Sequence, residues 1–182
     1  AFAPGPGQLD WANQPDPFRR YEGAKLFPLI KIGQTQKPTF SEALKSNKVL
    51  ACPLNLESVS QLFFDCLALS AWKSFQGSKW ALRVNPSSGN LHPTEGYLVC
   101  GPVQGLTDKP TIFHYSPETH GLERRSYFSM ETWKKMRLSE DTLFVGLSSI
   151  NWREAWKYGQ RSYRYCQHEL GHALAALNIS CA

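Results

Sequence analysis

Three groups of residues in this sequence have types and spacings suited to chemistry. The first is the stretch Arg83-Val84-Asn85-Pro86-Ser87-Ser88-Gly89-Asn90-Leu91-His92-Pro93, which runs directly into Thr94-Glu95-Gly96-Tyr97-Leu98-Val99. Pro86 lacks an N–H and fixes one backbone dihedral, while Gly89 permits conformations that other residues resist. A loop built this way stiffens its backbone and offers short hydroxyl and amide side chains to a polar, planar partner. The same composition also makes an ordinary turn before a strand. The residues by themselves leave both readings open.

The second group is Lys157, Arg161, Arg164, His168 and His172, each three or four residues from the last and so on one helical face. Such a stripe is either a solvated basic face or a wall along an anionic cofactor or substrate. The third lies within the second. His168-Glu169-Leu170-Gly171-His172 fits H-E-x-x-H, in which two histidines one turn apart bind zinc and the glutamate acts as general base. A catalytic zinc needs a third protein ligand, and the position six residues after His172 is Asn178. No metal site is therefore expected, and a zinc metalloprotease is the weakest of the functional readings.

These groups need elements to position them. Leu56, Val59, Leu62, Phe63, Leu67 and Ser70-Ala71 recur at helical spacing, which predicts a helix over 56–72. Gly96 to Cys100 and Thr111 to Tyr115 read as strands, with Gly, Pro and Asp between them. Short helices are expected near Thr39–Ser46, capped by Thr39 or Ser41, and at Met130–Met136. Phe144–Leu147 is a further strand or the start of the next helix. A long helix is predicted from Trp152 to about Ile179, with Gly159 marking a kink near its start. Trp156, Tyr163, Leu170, Leu174 and Leu177 form its expected core-facing side.

Composition sets the outer limits. The chain has 182 residues, 42% hydrophobic and 19% charged, enough for one globular domain with a real core. A net charge of +5 suits an anionic ligand, with nucleic acid equally compatible on charge alone. No Lys/Arg block, zinc-finger spacing or RNA-binding signature points to nucleic acid. Cys52, Cys66, Cys100, Cys166 and Cys181 are odd in number and irregularly spaced, which argues for reduced thiols and a cytoplasmic setting. The most apolar run, Leu62 to Trp72, contains Asp65 and is too short to span a membrane. Pro4, Pro6, Pro15 and Pro17 make 1–25 an extended N-terminal arm, leaving 26–182 as the domain.

Pro86-Ser87-Ser88-Gly89-Asn90-Leu91-His92-Pro93 resembles the Pro-Ser-Ser-x-Asn-x-Gln-Pro loop of the flavin-dependent nitroreductase superfamily, with His92 at the Gln position. Three further segments resemble its SagB/ThcOx-type dehydrogenases, a branch that includes azoline oxidases. They are Asp16 to Ala24, Ile112-Phe113-His114-Tyr115 with His120-Gly121-Leu122, and Trp152 to Gly159 with Arg161 to Tyr165 and Gly171-His172. The matches run in the family's order from about residue 10 to the C-terminus.

The resemblance implies an α+β, nitroreductase-like fold with a mostly antiparallel central sheet flanked by helices, incomplete at the C-terminus. It implies FMN as cofactor, with Ser87, Ser88, Gly89 and Asn90 at the flavin, Arg83 beside them, and Arg19 and Arg20 at the phosphate. It makes Lys157 and Tyr158 the catalytic pair, serving hydride transfer between substrate and flavin N5. Arg161 and Arg164 would ease proton loss from Lys157. The implied partners are a small-molecule or peptide substrate, a nicotinamide donor, and a second copy or second homologous domain completing the flavin site. Ala1 in place of Met, and a last helix without a cap, suggest a fragment of something longer. The alternative is a non-catalytic remnant or interaction domain.

Overall fold

The computed structural model describes residues 3–5, 7–33, 38–45, 51–139 and 141–181. Its strands are β1 (Leu26–Pro28), β2 (Leu69–Phe75), β3 (Ser78–Arg83), β4 (Thr94–Cys100), β5 (Thr111–Ser116), β6 (Gly121–Tyr127) and β7 (Leu143–Ser149). The helices are α1 (Phe40–Ala43), α2 (Leu56–Leu67), α3 (Met130–Lys135), α4 (Asn151–Tyr158) and α5 (Ser162–Ser180). Five strands form one sheet in the order β1-β6-β5-β4-β7, every neighbouring pair antiparallel. β2 and β3 form a separate hairpin.

Alternation along the strands sorts the sheet into two unlike faces. One presents Leu98 and Cys100 of β4, Phe113 and Tyr115 of β5 and Leu122 of β6 to Val59, Leu62, Phe63, Cys66 and Leu67 of α2. Ala173 and Leu177 of α5 close the same core. The Phe63 ring stacks on Tyr115 with centroids 4.7 Å apart. α2 starts at a capping box, in which Asn55 accepts from the Ser58 N–H and Ser58 Oγ accepts from the Asn55 N–H. The opposite face carries charge, described below.

α2 ends at Leu67, shorter than the expected 56–72. Ala68 is extended, and Leu69 onward pairs with β3 through a turn in which Gln76 and Gly77 have φ of 46° and 81°. Two adjacent left-handed residues give the turn twist that suits a two-residue hairpin, so pairing wins over the continued helical spacing. Thr39 is the α1 cap, its N–H and its hydroxyl both donating to the Glu42 carboxylate; Ser46 lies outside the described residues. The 144–147 segment is strand.

The predicted C-terminal helix is two helices. Gly159 has φ 50° and ψ −123°, a combination open essentially to glycine, and a 3-10 turn over Gly159–Arg161 separates α4 from α5. Of the expected core-facing side, Leu177 is buried and Trp156 and Leu170 are half-buried, whereas Tyr163 and Leu174 are exposed; the inward face of α5 is Cys166, Glu169, Ala173 and Leu177. The N-terminal arm crosses this region. Trp156 Nε1 donates to the Asp10 carbonyl at 2.9 Å and Arg161 donates to that of Ala3 at 3.0 and 3.2 Å. No helix is long and apolar enough to cross a membrane among the described residues.

Candidate active site

The Ser87–Asn90 loop is a short 3-10 turn held open by backbone conformation. Gly89 has φ 66°, Asn90 57° and His92 49°. The His92 N–H donates to Ser87 Oγ at 2.8 Å, and the buried His92 ring contacts the Ala81 carbonyl through Nε2 at 3.0 Å. Burial, with the Arg83 charge nearby, pushes the His92 imidazole down to about 4. His92 is thus a neutral brace beneath the loop.

Gly89 is the meeting point. A Cβ there would lie 2.8 Å from Tyr158 Oη and 2.9 Å from Lys157 Nζ. The loop and the end of α4, some seventy residues apart in sequence, therefore touch at the one loop residue that has no side chain. Neither the Lys157 amine nor the Tyr158 phenol takes a hydrogen-bond partner among the described residues. The Tyr158 hydroxyl is held above its ordinary range by burial and by the Glu154 charge. Its ring meets Tyr165 edge-on with centroids 4.6 Å apart. A cavity of about 420 Å³, lined by Ala3, Gln160, Arg161, Arg164, Tyr165 and His168, opens at the α4–α5 break. A larger one, of about 540 Å³, lies between the β1–β6 edge and the 102–108 loop and contains none of these residues.

The other predicted site residues are placed differently. Arg83 is buried, donating to the Pro17 carbonyl at 2.6 Å and the Thr94 carbonyl at 3.2 Å, so it ties the arm to β4. Arg20 is exposed and pairs with Asp16 and Glu118 at 2.8 and 2.7 Å. Arg19 is exposed, with Nη1 3.3 Å from Tyr21 Oη. The H-E-x-x-H residues do not converge. His168 accepts from Arg164 Nε and His172 contacts the His168 carbonyl on the exposed side, while Glu169 turns inward and accepts from the Ser88 N–H at 2.7 Å. No group of three metal-ligating side chains occurs among the described residues.

Two buried charge clusters frame the site. Glu95, His114 and Glu123 stand on adjacent strands. His114 Nε2 lies 2.7 Å from Glu95 and Nδ1 2.8 Å from Glu123. With a carboxyl oxygen opposite each ring nitrogen, both contacts bond only when a proton lies on each line. Arg153 Nη1 adds bonds to Glu95 Oε1 and to the His92 carbonyl. Burial by itself would raise the Glu95 carboxyl; the His114 bond and the charges of Arg153 and Arg83 outweigh it and hold it low. This cluster anchors α4 to the motif loop. The second cluster, Glu154 with Glu169, has no such partners. Both Glu154 oxygens and Glu169 Oε2 are buried and unbonded. Burial and the neighbouring Glu169 charge raise Glu154 to about 8.

Sequence reasoning did not find Glu95, His114, Glu123, Arg153 or Glu154, because an isolated charged residue in a sequence carries no sign of being buried.

No protein-family model matches the chain. Over 126 residues it is 24% identical to a candidate nitroreductase of Methanocaldococcus jannaschii, covering 66% of this chain and 59% of that protein. A crystallographic candidate nitroreductase of Anabaena variabilis matches with a TM-score of 0.71 and 27% identity, over 96% of this chain and 34% of that one. One from Ralstonia eutropha matches with a TM-score of 0.58 and 14% identity, over 100% and 77%. A chain of the Escherichia coli microcin synthetase McbBCD complex, solved with truncated pro-MccB17 bound, matches with a TM-score of 0.54 and 17% identity, over 87% and 64%. The fold is nitroreductase-like, and the archaeal and cyanobacterial likenesses are both to candidate nitroreductases. The chain spans less than two thirds of the length of both the archaeal and the cyanobacterial relative.

Proposed function

We propose that this chain is the flavin-facing part of an FMN-dependent oxidoreductase of SagB/ThcOx type, moving a hydride between substrate and flavin. The observation that carries this reading is the convergence of Lys157 Nζ and Tyr158 Oη on Gly89 of the Pro-Ser-Ser-Gly-Asn loop. Two motif segments far apart in sequence make one polar surface, with an amine and a phenol left without hydrogen-bond partners among the described residues.

The residues fit an acceptor-rich planar group. Asn85 is buried with its Oδ1 unbonded, and the loop it opens presents the Ser88 and Asn90 side chains on either side of Gly89. When bound, FMN would accept or donate the hydride. Ser88 and Asn90 would bond its polar edge, and Lys157 with Tyr158 would hold or move the proton that accompanies the hydride. The cavity walled by Arg161 and Arg164 suits a phosphate or an acidic group of the substrate. Arg20 is committed to two carboxylates, so among the N-terminal arginines Arg19 is the better phosphate candidate. The rest of the phosphate grip would come from a second copy or a second homologous domain.

The substrate class we favour is a small molecule or a peptide, the latter supported by the likeness to a chain of a complex that holds a peptide precursor. A nicotinamide donor and a cytoplasmic setting complete the proposal. The five unpaired cysteines suit reducing conditions.

The test is the visible spectrum of the purified chain after incubation with FMN and desalting, repeated on the chain in its natural length. Retained flavin bands are expected in at least the longer form. Lys157→Ala should then lower turnover about 10²–10⁴-fold, the usual contribution of a positioned acid or base, without loss of bound flavin. Flavin retained by neither form would overturn the proposal and favour an interaction domain.

A further inference from the structure

Against the loop lie two glutamates with no ion-pair partner among the described residues. Glu154 of α4 is 0% exposed and Glu169 of α5 is 3% exposed. Of their four carboxyl oxygens, only Glu169 Oε1 has a hydrogen-bond partner in good geometry, the Ser88 N–H. The groups that face the pair come from every surrounding element: Lys157 and Tyr158 from α4, Ser87 and Ser88 from the loop, Tyr165, Cys166 and His172 from α5, and Arg83 from the end of β3. None makes an ion pair with either carboxyl among the described residues. Two ionised carboxylates side by side in such a place would repel each other and forgo their hydration. A single proton between them turns repulsion into a hydrogen bond.

We propose that Glu154 and Glu169 share one proton and act as positioning residues, holding Ser87 and Ser88 against Lys157 and Tyr158 while that proton is kept. Glu169 is the anchor, since it accepts from the Ser88 N–H, and Glu154 is the protonated member that lets Glu169 stay buried. Loss of the Glu154 proton to solvent leaves two carboxylates beneath the loop, and the cheapest relief is for Glu169 to swing out and release Ser88. As a device serving catalysis, the pair rests on the oxidoreductase reading; as a proton-sharing pair, it does not.

Infrared spectroscopy across a pH series tests the proton, using the chain without added cofactor. The carbonyl stretch of a buried, protonated carboxylic acid is expected at neutral pH and should vanish as pH rises through about 8. Glu154→Gln should abolish it. Glu169→Gln removes the like charge and should move the midpoint to lower pH. A wild-type chain without the band, or a band unchanged in Glu154→Gln, would overturn the pair. Should Glu154→Gln fail to fold by circular dichroism, an unshifted midpoint in Glu169→Gln overturns it equally.

Amide exchange at Ser88, followed by NMR, tests the positioning. Its protection should fall over the same pH range in the wild type but not in Glu154→Gln. Protection that ignores the proton would overturn that role. A chain that passes both tests yet binds no flavin keeps the pair and loses the flavin reading.

Discussion

Arg153 and Glu154 are neighbours on α4, both buried, and they enter two opposite kinds of charged interior. Arg153 joins Glu95, His114 and Glu123, where every charge meets a partner across strands β4, β5 and β6. Glu154 faces Glu169, where like meets like and three oxygens go unbonded. The first arrangement is what a fold does with charge it needs for architecture. It fixes register and angle at the cost of desolvation, and removing one member strands the others. The second has no architectural use that a glutamine pair would not serve better, and it lies against the loop and the Lys157–Tyr158 end. Unfavourable electrostatics beside a candidate site is a common mark of function.

The contrast can be broken at its strongest point. Glu95→Ala would leave His114 and Arg153 facing each other's environment without a shared anion. It should cost about 3–5 kcal/mol in a denaturant melt, as removal of one member of a buried ion pair does. A loss below about 1 kcal/mol would mean that the network is idle.

The second probe is the pH dependence of stability. Glu154 has a folded value above its unfolded one, so its contribution is complete below about 4.5 and is lost as pH climbs toward about 8. The slope should stay below about 1.4 kcal/mol per pH unit. Glu154→Gln should flatten that limb of the curve, the two profiles diverging as pH rises above about 4.5. A profile identical to the wild type would remove the distinction between the two clusters.

Gly89→Ala asks whether the two sides of the site really meet. The methyl group would sit in left-handed backbone, at about 1–2 kcal/mol, and would push the Lys157 and Tyr158 side-chain ends aside. Thermal melting reads the first effect. A shift in the Tyr158 phenol titration reads the second, and an unmoved titration would separate the loop from α4. The smallest effect sharpens the comparison from outside. Arg20 is paired with two carboxylates but exposed, so Arg20→Ala should cost no more than about 1 kcal/mol in the same melt. A larger loss would show that exposed pairs here carry structural weight.

Much of this molecule was legible before its structure. The loop was readable because Pro86, Gly89 and Pro93 constrain backbone locally, and the break at Gly159 for the same reason. The strands β4 and β5 and the α1 cap at Thr39 also follow from short-range chemistry. What could not be read depends on distant partners. Leu69 to Trp72 continue a helical spacing, and only pairing with β3 makes them strand; the available signal was the Gln76-Gly77 turn. The inward face of α5 was read correctly at Leu177 but not at Tyr163 or Leu174, because buried Glu169 and the small Ala173 carry no apolar bulk to mark it. The charged interior was invisible, since Glu95, Arg153 and His92 are joined by a fold that brings residues some sixty positions apart together.

The antiparallel sheet also orders its own assembly. β5 and β6 are joined by a turn of only a few residues, and β4 lies one short connection away, so the centre of the sheet can form from nearby chain. Its two edges cannot. β7 must return to Thr94 from Ser149, and β1 reaches β6 only by pairing Leu26 with Glu123, closing a loop of about a hundred residues. Arg153, which follows β7, locks onto Glu95 only once that edge has arrived. The candidate site is therefore assembled at the end of folding, when the last long loops close, and a folding chain exposes its motif loop well before it holds the helix that completes it.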